Sequence, residues 1–296
     1  MAFAFKRQDK VQKQLRAIAG EQIAKALAEA TAEGADFGKT VHGLRRRCKK
    51  LRGLLRLIEP VFADFALENR TFREAAAGLS GARDSAVLGQ SFAKLLDDGP
   101  IDSEVAASVA GLLRSRAGAD PDPAAQRQML DDFCRTMDAA EQRVQHWTVK
   151  RRGFAAIEPG LMQTYRAFRD DLEVAEADGT PEALHDWRKQ AKYHWHHMSL
   201  LQQGAPDVLG PRKELLDTLG THLGDHHDLA VLDATLDDAR RTLGEEAVDS
   251  VRAVIANRQK DLADAALALG RQLTAPKPAT MRAELAGYWH LLDKGH

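Results

Sequence analysis

Cysteine is almost missing from this chain: Cys48 and Cys134 are the only two among 296 residues, and neither has metal-ligand spacing. A disulfide-built scaffold and a cysteine-based zinc centre are thereby excluded, and a reducing cytoplasm is the expected compartment. Long apolar runs are missing too. None reaches membrane-spanning length, and the opening MAFAFKRQDKVQKQ lacks the apolar stretch of a signal peptide. No membrane partner is expected. β-branched runs and period-two alternation are scarce, which argues against sheets. An excess of one charge is also lacking: 42 Lys and Arg stand against 43 Asp and Glu, a net charge of −1. Any affinity for an anion must come from where charge is placed rather than from its total. There is no Gly-rich phosphate loop, no nucleophile elbow and no carboxylate cluster suited to Mg²⁺. The chain is therefore expected to bind rather than to catalyse, without a cofactor or resident metal.

What is present is helix. Ala, Leu, Arg, Glu and Gln dominate, and apolar residues recur at helical spacing. The pattern predicts helices at about 7–33, 39–66, 68–97, 101–117, 123–150, 159–178, 181–203, 209–241, 244–273 and 278–293. Stop signals fall in DDGPID, AGADPDP, IEPG and APKPAT. The fold class is all-α.

The chain also repeats itself. VHGLRRRCKK at 41–50 aligns with LHDWRKQAKY at 184–193, setting His42 on His185, Arg45 on Arg188, Arg46 on Lys189 and Lys49 on Lys192. LSGARDSAVL at 79–88 aligns at nearly the same offset with LGDHHDLAVL at 223–232, setting Asp84 on Asp228. Two matches in one order imply an internal duplication, with halves at 1–150 and 151–296.

The first repeat carries seven Lys and Arg between Arg45 and Arg56 and no acidic residue before Glu59. On a helix, His42, Arg45, Lys49, Arg52 and Arg56 share one face, a positive group roughly every 5 Å. Val41, Leu44, Cys48, Leu51, Leu55 and Ile58 form an apolar stripe beside them, with Arg46 and Lys50 on the opposite flank. A solvated helix face normally mixes signs, because like charges at this spacing repel. A one-sign row, repeated in the second half, points to an anion. Base readout and strand stacking need other side chains, and no aromatic residue interrupts the first row between Phe37 and Phe62. A charged polymer without bases fits such a row better. Nucleic acid or nucleotide binding, a metal-dependent phosphohydrolase built on His222, His226 and Asp228, and a scaffold for an acidic protein remain as alternatives.

The pattern His-x-x-Arg-x-x-x-Lys-Lys-x-Arg at 42–52, its second copy from His185, the RDSAVL and HHDLAVL segments, and GLMQTYRAFRD at 160–170 together resemble the CHAD family, named for its histidine-bearing α-helical domain. The resemblance implies two four-helix bundles related by a pseudo-two-fold axis. It implies a basic channel between them that binds inorganic polyphosphate without turning it over, with recruitment to polyphosphate granules as a further expectation. Carried over by position, His42, Arg45, Lys49, Lys50 and Arg52 match the first motif, and His185, Arg188 and Lys192 match the second. Arg46, Arg56 and Lys189 join them from the same rows. Lys13 and Arg16 before the first motif, Arg166 and Arg169 before the second, and His196, Arg83 and His227 complete the expected channel. The second copy departs at Tyr193 and Trp195, which replace cations of the first.

Overall fold

A computed structural model describes residues 3–79, 84–116 and 122–293, with 84–87 described by their helix alone. Among these residues there are twelve α-helices and no strand, only an isolated bridge between Arg7 and Asp293. The all-α expectation holds.

The first helices are α1 (Val11–Ala30), α2 (Phe37–Ile58) and α3 (Phe65–Ala77). Asp36 caps α2, its carboxylate accepting from the Lys39 amide at 2.8 Å. The helix expected over 39–66 ends early, because Pro60 cannot continue it and Glu59–Val61 tightens into a 3₁₀ turn. The helix expected over 68–97 is two: α3 and α4 (Asp84–Leu95). α5 (Ser103–Arg116) and α6 (Pro123–Val144) follow, the latter capped by Asp122.

In the second half α7 (Glu158–Asp178) begins inside the IEPG stop signal, with Pro159 in its first turn, where a missing amide hydrogen is harmless. α8 (Pro181–Leu201) is capped by Thr180, and α9 (Pro206–Asp237) continues straight through the second repeat motif. The short α10 (Arg240–Leu243), α11 (Glu245–Thr274) and α12 (Pro278–Trp289) complete the chain.

α1, α2, α3 and α6 pack together, as do α7, α8, α9 and α11. α2 also packs on α7 and α8, so one hydrophobic core runs from Phe5 to Leu292 through both halves. α4 and α5 leave the first group and cover the far ends of α9 and α11. There Phe92, Leu95, Val109 and Leu113 meet Leu232, Leu236, Val248 and Val251 in a second core. Gly160 sets how closely the halves approach: a Cβ there would overlap the Leu57 carbonyl, so α7 lies directly against the C-terminal turn of α2. Among the described residues no helix is long and apolar enough to cross a membrane.

Candidate anion-binding site

α2 sorts its side chains as its spacing requires. Val41, Leu44, Cys48, Leu51, Leu55 and Ile58 are all buried, while His42, Arg46 and Lys49 are exposed and Arg45, Lys50, Arg52 and Arg56 half-buried. Burial pushes the Cys48 thiol up to about 12, so it is an inert core group. Arg47 belongs to the same basic run but turns the other way, to α1, where it donates to Glu29 and to Gln22 (3.2 Å).

The two cationic rows meet where α2 crosses α8. Gly53 makes the crossing possible, since a Cβ there would sit 2.7 Å from the Cβ of His196. The Gly53 carbonyl lies 3.1 Å from His197 Nε2. Gly53 and His197 are 144 positions apart, the offset at which LSGARDSAVL aligns with LGDHHDLAVL. Around the crossing Arg52 donates to the Tyr193 hydroxyl at 3.0 Å and to Asn69 at 3.1 Å. Arg56 lies over the Tyr193 and Phe65 rings and pairs with Glu59 at 2.7 Å. Tyr193, the aromatic that breaks the cationic pattern of the second copy, thus orients two cations of the first. His196 itself is buried against Phe3 and Trp195. Burial, reinforced by His197, Lys192, Lys50 and Lys49, lowers its pKa to about 3. It packs the crossing as a neutral ring and does not offer a charge to the row.

Along α8 the second row rests on α9. Lys192 and Arg188, one turn apart, lie over Gly220 and Gly224, also one turn apart. A Cβ at Gly220 would be 2.8 Å from Lys192 Nζ, and one at Gly224 would be 3.3 Å from an Arg188 nitrogen. Burial holds the Lys192 ammonium below its ordinary pKa, with Asp217 at 3.9 Å opposing and Arg188 adding to the shift. At the row's far end the His185 and His227 rings stand 4.2 Å apart, joining α8 to α9. Burial first, then His227, Lys189 and Arg188, hold His185 below its usual range. Burial and Arg188 do the same to His227, with Asp228 opposing. Asp228 is shifted up by burial, with Arg188 and His227 opposing, and so stands beside the second row. Lys189 is exposed and bonded to Asp186 at 2.5 Å.

Among the described residues two donors on these rows have no acceptor: one terminal nitrogen of Arg45 and the Nε of Arg188 are buried and unmatched. A buried donor left unmatched costs roughly 1–3 kcal/mol.

The residues expected before each motif divide. Lys13 and Arg166 are exposed. Arg16 spends its Nε on the Trp147 carbonyl at 2.8 Å. Arg169 donates to the carbonyls of Thr274 and Pro276, where Arg212 and Tyr165 also bond the C-terminal end of α11, so it closes a helix end rather than extending a row. Arg83 lies outside the described residues. No group of three or more metal-ligating side chains converges among the described residues, and His226 is buried between α9 and α11. The packing roles of the glycines at 53, 220 and 224 escaped sequence reasoning, and Gly224, expected to interrupt its helix, lies inside the continuous α9. Their only signal was the absence of a side chain at helical positions, two of them four apart.

Comparison with known proteins gives the same outline. No curated protein sequence matches the chain. The crystal structure of the CHAD domain from the plant Ricinus communis superposes with a TM-score of 0.64 at 19% identity, covering 94% of this chain and 96% of the other. PptA from Streptomyces chartreusis superposes with a TM-score of 0.59 at 16% identity, covering 90% and 99%. The CHAD domain family profile matches residues 17–237, which include both histidine-bearing rows and the crossing between them. The chain belongs to the CHAD domain family, a family known for binding polyphosphate.

Proposed function

We propose that this protein binds inorganic polyphosphate, without hydrolysing it, along the α2 and α8 cationic rows. The observation that carries the reading is the convergence of the one-sign α2 row with the cationic row of α8 at their crossing, where Lys49, Lys50 and Lys192 all act on His196. Repulsion within such a set is relieved by a ligand of opposite charge. The unmatched donors of Arg45 and Arg188 favour an acceptor-rich ligand. Along the rows Tyr193 holds Arg56 and Trp187 fills the core, which favours a polymer without bases over nucleic acid there. In this reading the two halves act as one continuous channel, and a long chain gains by occupying both. Recruitment to polyphosphate granules in the cytoplasm would follow from that avidity.

Binding is tested with orthophosphate, tripolyphosphate and long polyphosphate over a range of salt. Affinity rises with chain length and falls steeply with salt as counterions are released. The double variant Arg45→Glu, Lys49→Glu keeps its helical circular dichroism and loses long-chain binding by 100-fold or more. Equal affinity for orthophosphate and a long chain, or intact binding in the double variant, overturns the proposal.

A further inference from the structure

A cleft of about 490 Å³ lies beside the crossing. Its walls come from four places: Phe3 and Ala4 of the N-terminal segment, Lys50 of α2, Trp195 and Ser199 of α8 with Gln202 and Gln203 after it, and Pro206 and Lys213 of α9. Two features set it apart from the cationic rows. The first is its ammonium groups. Lys50 lies 5.3 Å from the centre of the Phe3 ring, and Lys213 bonds the neutral amide of Gln202 at 2.8 Å. Among the described residues neither ammonium has a carboxylate within ion-pair distance, and only Glu21 acts on Lys50 from farther away, so the cleft holds two cations without a paired counter-ion. The second is its apolar surface. Phe3, Trp195 and Pro206 offer rings to whatever enters, and Ser199, Gln202 and Gln203 add neutral hydrogen-bonding groups.

A bare phosphate chain gains little from such walls, because placing its oxygens against apolar rings removes water without replacing it. A purely apolar ligand would leave two ammonium groups without a paired counter-ion. A ligand with a planar ring at one end and phosphates at the other satisfies both, and the cleft has the volume usual for small-molecule sites. Stacking of a base on an aromatic side chain is worth roughly 1–3 kcal/mol.

We propose that this cleft binds a nucleoside phosphate, its base against Trp195 and its phosphates between Lys50 and Lys213. The site shares only Lys50 with the polyphosphate rows and stands whether or not that reading does. It also places a small, base-bearing phosphate beside the rows, where it competes with a polymer for Lys50.

The test is calorimetric titration of the full chain with ATP, tripolyphosphate and adenosine, and separately with long polyphosphate. ATP binds at least fivefold more tightly than tripolyphosphate, and adenosine alone binds weakly. Lys213→Glu weakens ATP at least tenfold while long-chain polyphosphate affinity changes less than threefold. Trp195→Leu brings ATP down to the tripolyphosphate level. The Lys213 variant changes a half-buried side chain at the cleft rim, so it separates loss of the site from loss of the fold if the Trp195 variant proves unstable. The proposal is overturned if tripolyphosphate binds as well as ATP, or if Lys213→Glu leaves ATP affinity unchanged. Absence of long-chain binding would count against the polyphosphate reading and leave this one standing.

Discussion

Acidification from pH 7 to pH 5 should remove a large part of this protein's stability, because the α2–α8 crossing is built on neutral histidines. His196 and His197 are buried, and burial is the first cause that lowers each to about 3. For His196 the neighbouring His197, Lys192, Lys50 and Lys49 add to the shift; for His197 the Gly53 carbonyl opposes it. Unfolding returns both to an ordinary value of 6.5. Between those values the unfolded chain binds protons that the folded chain refuses, so stability rises with pH across the window and falls as pH drops below about 6.5. At 1.36 kcal/mol per unit, each ring loses about 2 kcal/mol by pH 5, and the pair about 4 kcal/mol. That is a large share of the 5–15 kcal/mol typical of a folded domain. His194, wholly buried and near Arg212, acts in the same direction. The assay is the urea midpoint at pH 7 and pH 5 at constant ionic strength, with His196→Leu as the comparison. Leucine keeps an apolar body against Phe3 and Trp195 and takes no proton, so the variant should lose about 2 kcal/mol less between the two pH values. Equal stability of the parent at pH 7 and 5, or an unchanged loss in the variant, would refute the burial argument.

Other consequences can be checked separately. If polyphosphate occupies the second row, the polyanion favours protonated His185 and His227, both held low in the free protein, so binding takes up protons and strengthens from pH 7 to 5.5; calorimetry in two buffers of different ionisation enthalpy measures the uptake. Gly224→Ala presses on Arg188 and Gly220→Ala on Lys192, and each should weaken long-chain binding roughly threefold to tenfold with little change in melting temperature; a direct binding titration decides it. Gly160→Ala forces α7 off the Leu57 carbonyl and should destabilise by about 3 kcal/mol in chemical denaturation, with the loss in the fold rather than in the cationic rows.

Helical class and the division of α2 into a packing face and a cationic face were legible in the sequence because both depend on spacing along one helix. His42 and Leu44 go where their periodicity sends them. A helix start was legible where a capping side chain acts locally, as at Thr180, but the helix expected over 39–66 ran through Pro60, where the chain leaves α2. The split between α3 and α4 was not legible, since a continuous helical pattern records propensity and not where the chain turns away to cover another helix. The role of each charged residue was legible only in part. Arg47 and Arg45 are two residues apart in one basic run, yet one is held by Glu29 of α1 and the other keeps an unmatched nitrogen. Arg169 carries the same charge as Arg166 and spends it on the end of α11.

The sequence by itself determined that the protein is helical, that positive charge is gathered into rows on two of its segments, and that His42 and His185 begin them. Tertiary structure alone decided that the rows meet, and that a glycine and a buried histidine form the meeting point. It also decided that Tyr193 orients cations of the first row rather than merely replacing one in the second. The physical reason is the range of the forces involved. Periodicity and capping act within a few residues of chain, whereas burial, desolvation and the approach of Gly53 to His196 exist only once distant segments have packed.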